Sequence, residues 1–313
     1  MPLGLRRGTV SAVTERHDRL IRLEVDGIPC IAYPRLTGEV EVGDEVLVNE
    51  QARQLDLGSG GFDVLYANLT RGLGLPAEEG AHVMALPYTP GQMTVCYEEE
   101  SDVPADELDG MPVVLCTVHS QVAPVCAGLA GARVAYVQVA GGALPVSLSH
   151  TVRLLHERGL VEVACAVAPC LDGDAQFVTA AAALAWSKAQ GHDAIVCSVG
   201  PGIVGTGSRL GHGALALADA ANVAAALGGR SVLAVRTSDA DPRERHRGVS
   251  HHAQAVLDLC LGEVVVPPAD AGEGWEEACA GLPLSHMARG PDEEPAFFRA
   301  AYAAGLVARD LIG

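Results

Sequence analysis

The sequence predicts an α/β protein: a doubly wound, mostly parallel sheet preceded by a small all-β, barrel-like region. Three observations carry that expectation. Up to about residue 105, short runs with alternating or β-branched residues are separated by tight-turn dipeptides. From about residue 106, apolar strand-like runs alternate strictly with helical segments, the pattern of a parallel sheet covered on both faces. The 313 residues, 49% of them hydrophobic and 19% charged, are enough for one or two domains with a sizeable core.

In the first region the runs 8–13, 20–25, 28–33 and 45–48 read as strands. Asp26-Gly27 and Gly43-Asp44 supply hairpin turns. "LDLGSGGFDVLYANL" adds a glycine-rich turn at 58–61 and another strand, and "HVMALPYTPGQMTVCYEEE" has room for two more. The acidic, aperiodic stretch 98–110 marks the boundary, dividing the chain into 1–105 and 106–313. Beyond it, strands are expected at 112–118, 133–139, 161–167, 193–199, 231–236 and 263–267. Helical spacing covers 145–158, 174–190 and 214–227, and "PAFFRAAYAAGLVARDLIG" closes the chain as an amphipathic helix with Pro295 near its start.

Composition excludes several classes. The net charge is −18 and Lys188 is the single lysine, so a phosphate backbone would be repelled and nucleic acid is not an expected partner. Nine cysteines without any C-x-x-C read as reduced core residues rather than a disulfide framework or zinc site. No apolar run reaches the ~18 residues of a membrane span, and "MPLGLRRGTV" carries no apolar stretch behind its arginines. A cytoplasmic protein with no membrane partner is expected.

In an open parallel sheet, ligands bind beyond the carboxyl ends of the strands. The loops that follow each strand here are polar: His119-Ser120-Gln121, 140–145, "APCLDGDAQ" with Asp172 and Asp174, "GPGIVGTGSRLGHG" (200–213), and "SDADPRERHRGVSHH" (238–252). The loops at the opposite ends are short and plain. This asymmetry makes 238–252 one wall of a shared site rather than an isolated surface loop.

Within 200–213, Gly200, Gly202 and Gly205 match G-x-G-x-x-G, but the motif follows the fourth strand of the α/β region instead of opening it. No single acid stands where a ribose partner is expected, and G-K-[ST] is absent. Neither a dinucleotide fingerprint nor a P-loop is assigned, and no cofactor is named. What remains is an anion-binding expectation for Gly200, Gly202, Gly205, Thr206, Gly207, Ser208 and Arg209, through backbone N–H groups, hydroxyls and charge. The alternative is glycine required for close packing alone.

In 238–252, Arg243 and Arg245 are fork-shaped donors for phosphate or carboxylate, with Arg247 beside them. His246, His251 and His252 are candidate acid–base groups, with Asp239 or Asp241 to orient them. His-x4-His-His is no standard ligand spacing and no H-E-x-x-H occurs, so no metal is assigned. His119 and Asp172 complete the candidate site. A satisfied structural histidine is the plainer reading of His119, and Asp174 is expected to cap the following helix. Ser120 lacks a G-x-S-x-G elbow.

The motifs "GDEVLVN", "LDLGSGGFD", "PYTPGQ", "VHSQVAPV", "ALPVSLS", "GPGIVGTGSRLGHG" and "DPRERHRGVSHH" together resemble a bacterial family known only as domain of unknown function 3866, over about residues 42–257. The resemblance implies no activity. The family's pattern has Asp where Ala140 stands, His at Pro169 and Glu at Gln176, which implies that this chain lacks polar groups near the same loops.

The functional expectation is a cytosolic hydrolase or group transferase acting on a small anionic, phosphorylated molecule. A non-catalytic ligand-binding or regulatory protein is the alternative, with a metal-dependent hydrolase behind it. The barrel is free to cover the site, bind a partner or pair subunits into a homo-oligomer.

Overall fold

The computed structural model describes residues 3–55, 61–100, 107–268 and 271–313. Residues 58–60 of the glycine-rich turn and 101–106 of the boundary stretch lie outside the described residues. The contacts of the chain divide it into two units, Met1–Ala81 and His82–Gly313.

The first unit holds β1 (Leu5–Arg16), β2 (Ile21–Val25), β3 (Ile28–Ala32), the short α1 (Pro34–Thr37), β4 (Glu45–Asn49), α2 (Gln51–Gln54) and β5 (Asp63–Asn68). The strands close into a barrel in the order β1-β2-β3-β5-β4. Alternation along the strands sends Val10, Ile21, Leu23, Val25, Val46, Val48 and Leu65 into its interior. Asp26 and Gly27 both take positive φ, 54° and 77°, as a two-residue turn between β2 and β3 requires. The fully buried Asp63 is matched by Arg6 at 3.1 Å and Arg53 at 2.8 Å. Removing either arginine would leave a carboxylate short of charge away from water.

The second unit opens with β6 (Val83–Ala85) and β7 (Met93–Val95), an antiparallel pair forming a small sheet of its own. Then follow β8 (Pro112–Cys116), α3 (Val122–Gly128), β9 (Val134–Val139), α4 (His150–Glu157), β10 (Val163–Val167), β11 (Ala175–Phe177), α5 (Ala180–Ala189), β12 (Ala194–Val199), α6 (Ala216–Ala226) and β13 (Arg230–Ala234). The two-residue β14 (Thr237–Ser238) and β15 (Gly248–Val249), α7 (His251–Leu259), β16 (Val264–Val265), α8 (Trp275–Ala278) and α9 (Pro295–Asp310) complete it. Seven strands form one sheet in the order β11-β10-β9-β12-β8-β13-β16, and every pairing in it is parallel. One apolar cluster beneath the sheet joins α3, α4, α8 and α9; another on the opposite face joins α5, α6 and α7. The expected doubly wound sheet with an N-terminal barrel is therefore what the chain forms.

Four local expectations are corrected. Strand β11 was not anticipated; its Ala175 and Phe177 are buried at the sheet edge beside β10. The helix expected over 174–190 starts at Ala180, because Thr179 is its cap and accepts from the N–H of Ala182. Asp174 does not cap it; that carboxylate accepts from the N–H of Ala164. Helices α3 and α7 were not among the expected helices, α3 because its short run "VAPVCAG" is buried throughout and shows no amphipathic period.

The winding changes side at one point of the sheet. The helix after β8, α3, packs on one face, while those after β12 and β13, α6 and α7, pack on the other. Chain therefore parts to opposite sides around the carboxyl end of β8, the kind of switch point at which open parallel sheets bind ligands. Gln121, fully buried, braces this point. Its amide donates to the carbonyl of Ala234 at 2.7 Å and its Oε1 accepts from the hydroxyl of Thr117 at 3.1 Å.

Candidate functional site: an arginine–histidine cluster at the carboxyl edge of the sheet

The stretch 238–252 leaves β13 and returns beside it. β14 and β15 pair at its base, and the N–H of Ser250 donates to the carbonyl of Arg236 at 2.9 Å. Ser250 then caps α7, its hydroxyl accepting from the N–H of His252. His251 and His252 are thus the first residues of a helix, held beside the end of β13.

Four imidazoles gather there. His212, from the end of the glycine loop, stacks on His252 with ring centroids 4.0 Å apart. His251 lies 4.4 Å from His252 and 5.3 Å from His212, and His246 sits 4.8 Å from His251 and 4.9 Å from His252. Burial, reinforced by nearby arginines, holds His246 at about 3 and His252 at about 2 and lowers His251. Burial also lowers His212, although the backbone of Arg209 pulls the other way. Such close packing is tolerable because the rings are neutral; protonated rings at these distances would repel. The expected orienting carboxylate is corrected: His246 Nδ1 shares a 2.7 Å hydrogen bond with the Ser250 hydroxyl, not with Asp239 or Asp241.

Beside the imidazoles lies a charged knot. Asp241, 1% exposed, accepts from Arg243 Nε at 2.9 Å and Nη2 at 2.8 Å. Arg236 and Arg289 approach the same carboxylate at 3.8 and 3.7 Å. The paired Arg243 holds Asp241 well below the usual carboxylate range. Arg236, 2% exposed, donates to His252 Nδ1 at 3.0 Å, and burial lowers its guanidinium to about 10. Glu294 accepts from Ser238 Oγ at 2.6 Å and Arg289 Nε at 2.7 Å. His286 completes the knot, with Nδ1 3.0 Å from Ser120 Oγ and its ring stacked on Phe297.

Several buried donors here end without an acceptor among the described residues. They include Arg236 Nε and Arg289 Nη2, the latter 3.7 Å from Asp241 and so ion-paired but not hydrogen-bonded, while His251 Nε2 and His286 Nε2 also have no hydrogen-bond partner. A buried N–H left unbonded costs about 1–3 kcal/mol, so a concentration of them points to a ligand.

The remaining candidates are dispersed. Both nitrogens of His119 are occupied, Nδ1 at 3.2 Å from the carbonyl of Val199 and Nε2 at 2.7 Å from the Ser149 hydroxyl, and its ring contact is with Tyr136. This is a satisfied histidine bracing β8 against the cap of α4. Asp172 is buried in a left-handed turn, φ 62°, before β11. Asp239 is exposed, as is Arg245, whose Nη1 lies 4.0 Å from where a Cβ on Gly207 would stand.

The glycine loop divides in function. A Cβ on Gly200 would stand 2.1 Å from the carbonyl of Ala143, and one on Gly213 would stand 2.0 Å from the carbonyl of Gly141. These glycines let the loops after β9 and β12 cross backbone against backbone. Between them, Gly202 and Gly205 through Arg209 are exposed. Thr206 and Ser208 bond each other at 2.9 Å, and Arg209 turns to Asp258 at 2.7 Å.

Sequence reasoning passed over His212, Arg236, Ser250, His286, Arg289 and Glu294. Two left a trace: Arg236 is a charge ending a buried strand, and Ser250 stands before a helical run as a cap does. His286, Arg289 and Glu294 come from a segment with no local motif.

A closed barrel followed in the chain by a doubly wound parallel sheet, with arginines and histidines gathered at the sheet's carboxyl edge, defines an α/β protein built around a polar site. More particularly, the chain belongs to the family of proteins of unknown function DUF3866, whose model matches residues 29–281 of the 313. No curated protein matches it. Among the described residues no helix is long and apolar enough to cross a membrane.

Proposed function

We propose that this protein is a hydrolase or group transferase whose substrate is a small phosphorylated anion held at the arginine–histidine cluster. One observation carries the reading: buried guanidinium donors without acceptors in a locally cationic setting. Arg236, Arg243 and Arg289 surround Asp241, and Glu294 adds a second negative charge to the knot. In a chain of net charge −18, three arginines facing two carboxylates, with Arg236 buried and the Arg243 side chain 36% exposed, make a locally positive site that an anion would match.

Arg236 Nε and Arg289 Nη2 would take phosphate oxygens, and charge growing on those oxygens in the transition state would be met by donors already in place. His246, oriented by Ser250 and neutral at pH 7, would accept a proton from the attacking group and return it to the leaving group. Asp241 would keep Arg243 and Arg289 aligned.

The test is thermal unfolding of the full chain with inorganic phosphate, sugar phosphates and nucleotides, followed by assay of any stabilising compound for phosphate release. A compound present at a hundredfold over its dissociation constant stabilises the fold by about 2.7 kcal/mol. That stabilisation is expected to vanish in Arg236→Met and Arg289→Met. Stabilisation unchanged in both variants would overturn the site. Binding without turnover would leave the non-catalytic reading in its place.

A further inference from the structure

We propose that His212, His251 and His252 form a three-imidazole site for one divalent transition-metal ion of the zinc class. The spacing of His251 and His252 alone does not suggest it; the third ring arrives from a different loop, after β12. One ring nitrogen from each residue lies within 4.8 Å of the others. Tetrahedral zinc with nitrogen ligands at about 2.0–2.1 Å needs those nitrogens about 3.4 Å apart. Rotation of the rings with a shift of about 1 Å closes the set to that geometry.

The chemistry of the donors decides which metal. Three imidazoles with no carboxylate among them favour zinc, cobalt, nickel or copper over magnesium or calcium, which require oxygen. His251 Nε2 has no hydrogen-bond partner among the described residues, and neither ring nitrogen of His212 completes a well-formed bond. Three protein ligands leave a fourth tetrahedral position open, the arrangement of catalytic rather than structural zinc.

One contact competes. Arg236 donates to His252 Nδ1, so the metal and the arginine contend for the same imidazole, and Arg236 must lean toward Asp241, 3.8 Å away, when the ion binds. His246 stays outside the set, which holds only the ring nitrogens of His212, His251 and His252 within 4.8 Å of one another. The site goes beyond the anion reading, and either can stand without the other.

The experiment uses the full chain, freed of metal with a chelator and titrated with Zn²⁺ by calorimetry and with Co²⁺ by visible absorption. One equivalent per chain is expected, with the intense ligand-field bands of four-coordinate Co²⁺. Affinity is expected to fall at least a hundredfold in His212→Ala and His251→Ala. His251 is only partly buried, so His251→Ala decides the matter if His212→Ala fails to fold. No stoichiometric binding by the wild-type chain would overturn the site. So would an equivalent retained at the same affinity in His251→Ala, which would send the ion elsewhere, for example to thiols.

Discussion

Arg236 is where the competing demands meet. It is buried, it donates to His252, and its Nε has no acceptor among the described residues. Replacing it with methionine keeps the volume while removing both charge and donors. Arg236→Met is expected to abolish stabilisation by phosphorylated ligands and to tighten Zn²⁺ binding about tenfold, by releasing His252 and removing a neighbouring cation. Parallel thermal-shift and calorimetric titrations would read both signs in one variant. Loss of both activities would mean that the arginine merely holds the local fold.

At the scale of elements, the cap of α7 and the crossing of two loops each depend on one small residue. Ser250 caps the helix and bonds His246. Ser250→Ala is expected to cost about 1 kcal/mol, read as a fall in Tm of roughly 2–4 °C, and to leave His246 without its partner. Gly213 lies against the backbone of Gly141, where a Cβ would come within 2.0 Å of a carbonyl oxygen. Gly213→Ala is expected to destabilise the chain by about 3 kcal/mol, measurable by denaturant unfolding, because backbone on both sides cannot yield as a side chain can. Gly202→Ala is the contrasting control; its residue is exposed, though its φ of 68° adds a smaller backbone strain.

At the scale of the whole molecule, buried neutral histidines set the response to acid. Burial holds His119 at about 4 and His286 at about 3, against about 6.5 in the unfolded chain. Around His119 stand Ser149, Tyr136 and the carbonyl of Val199. Around His286 stand Ser120, Arg236, Arg289, Asp241 and Arg243. Folded pKa values below the unfolded one mean that the unfolded chain binds the protons first. Stability is therefore complete above about pH 6.5 and declines as pH falls toward 4 and 3. His119 contributes on the order of 3 kcal/mol across that interval. Asp241, whose pKa is lowered, adds to the same loss only below about pH 4. Denaturant midpoints should hold level from pH 7.5 to about pH 6.5 and then fall toward pH 4.5, and His119→Gln should flatten that slope.

The sequence by itself determined the architecture and the edge of the sheet at which the polar loops lie. Near-continuous apolar runs such as "VAYVQV" and "AIVCSV" are buried on both faces, and local periodicity suffices to say so. Turn residues such as Asp26-Gly27 likewise act through their own backbone. The polar loops after β8, β12 and β13 were expected at one edge because parallel strands send all their carboxyl ends there. Only the tertiary structure decided which side chains of those loops meet. His212 joins His252 across some forty intervening residues, and from a segment with no motif of its own Arg289 reaches Asp241 and Glu294 reaches Ser238. It also separated His119, already satisfied by Ser149, from the cluster, and divided the glycines into those that pack backbone and those that face outward. Hydrogen bonds and ion pairs form at distances of a few ångströms between residues far apart in the chain. Periodicity records which way a side chain faces, and only folding determines what it faces.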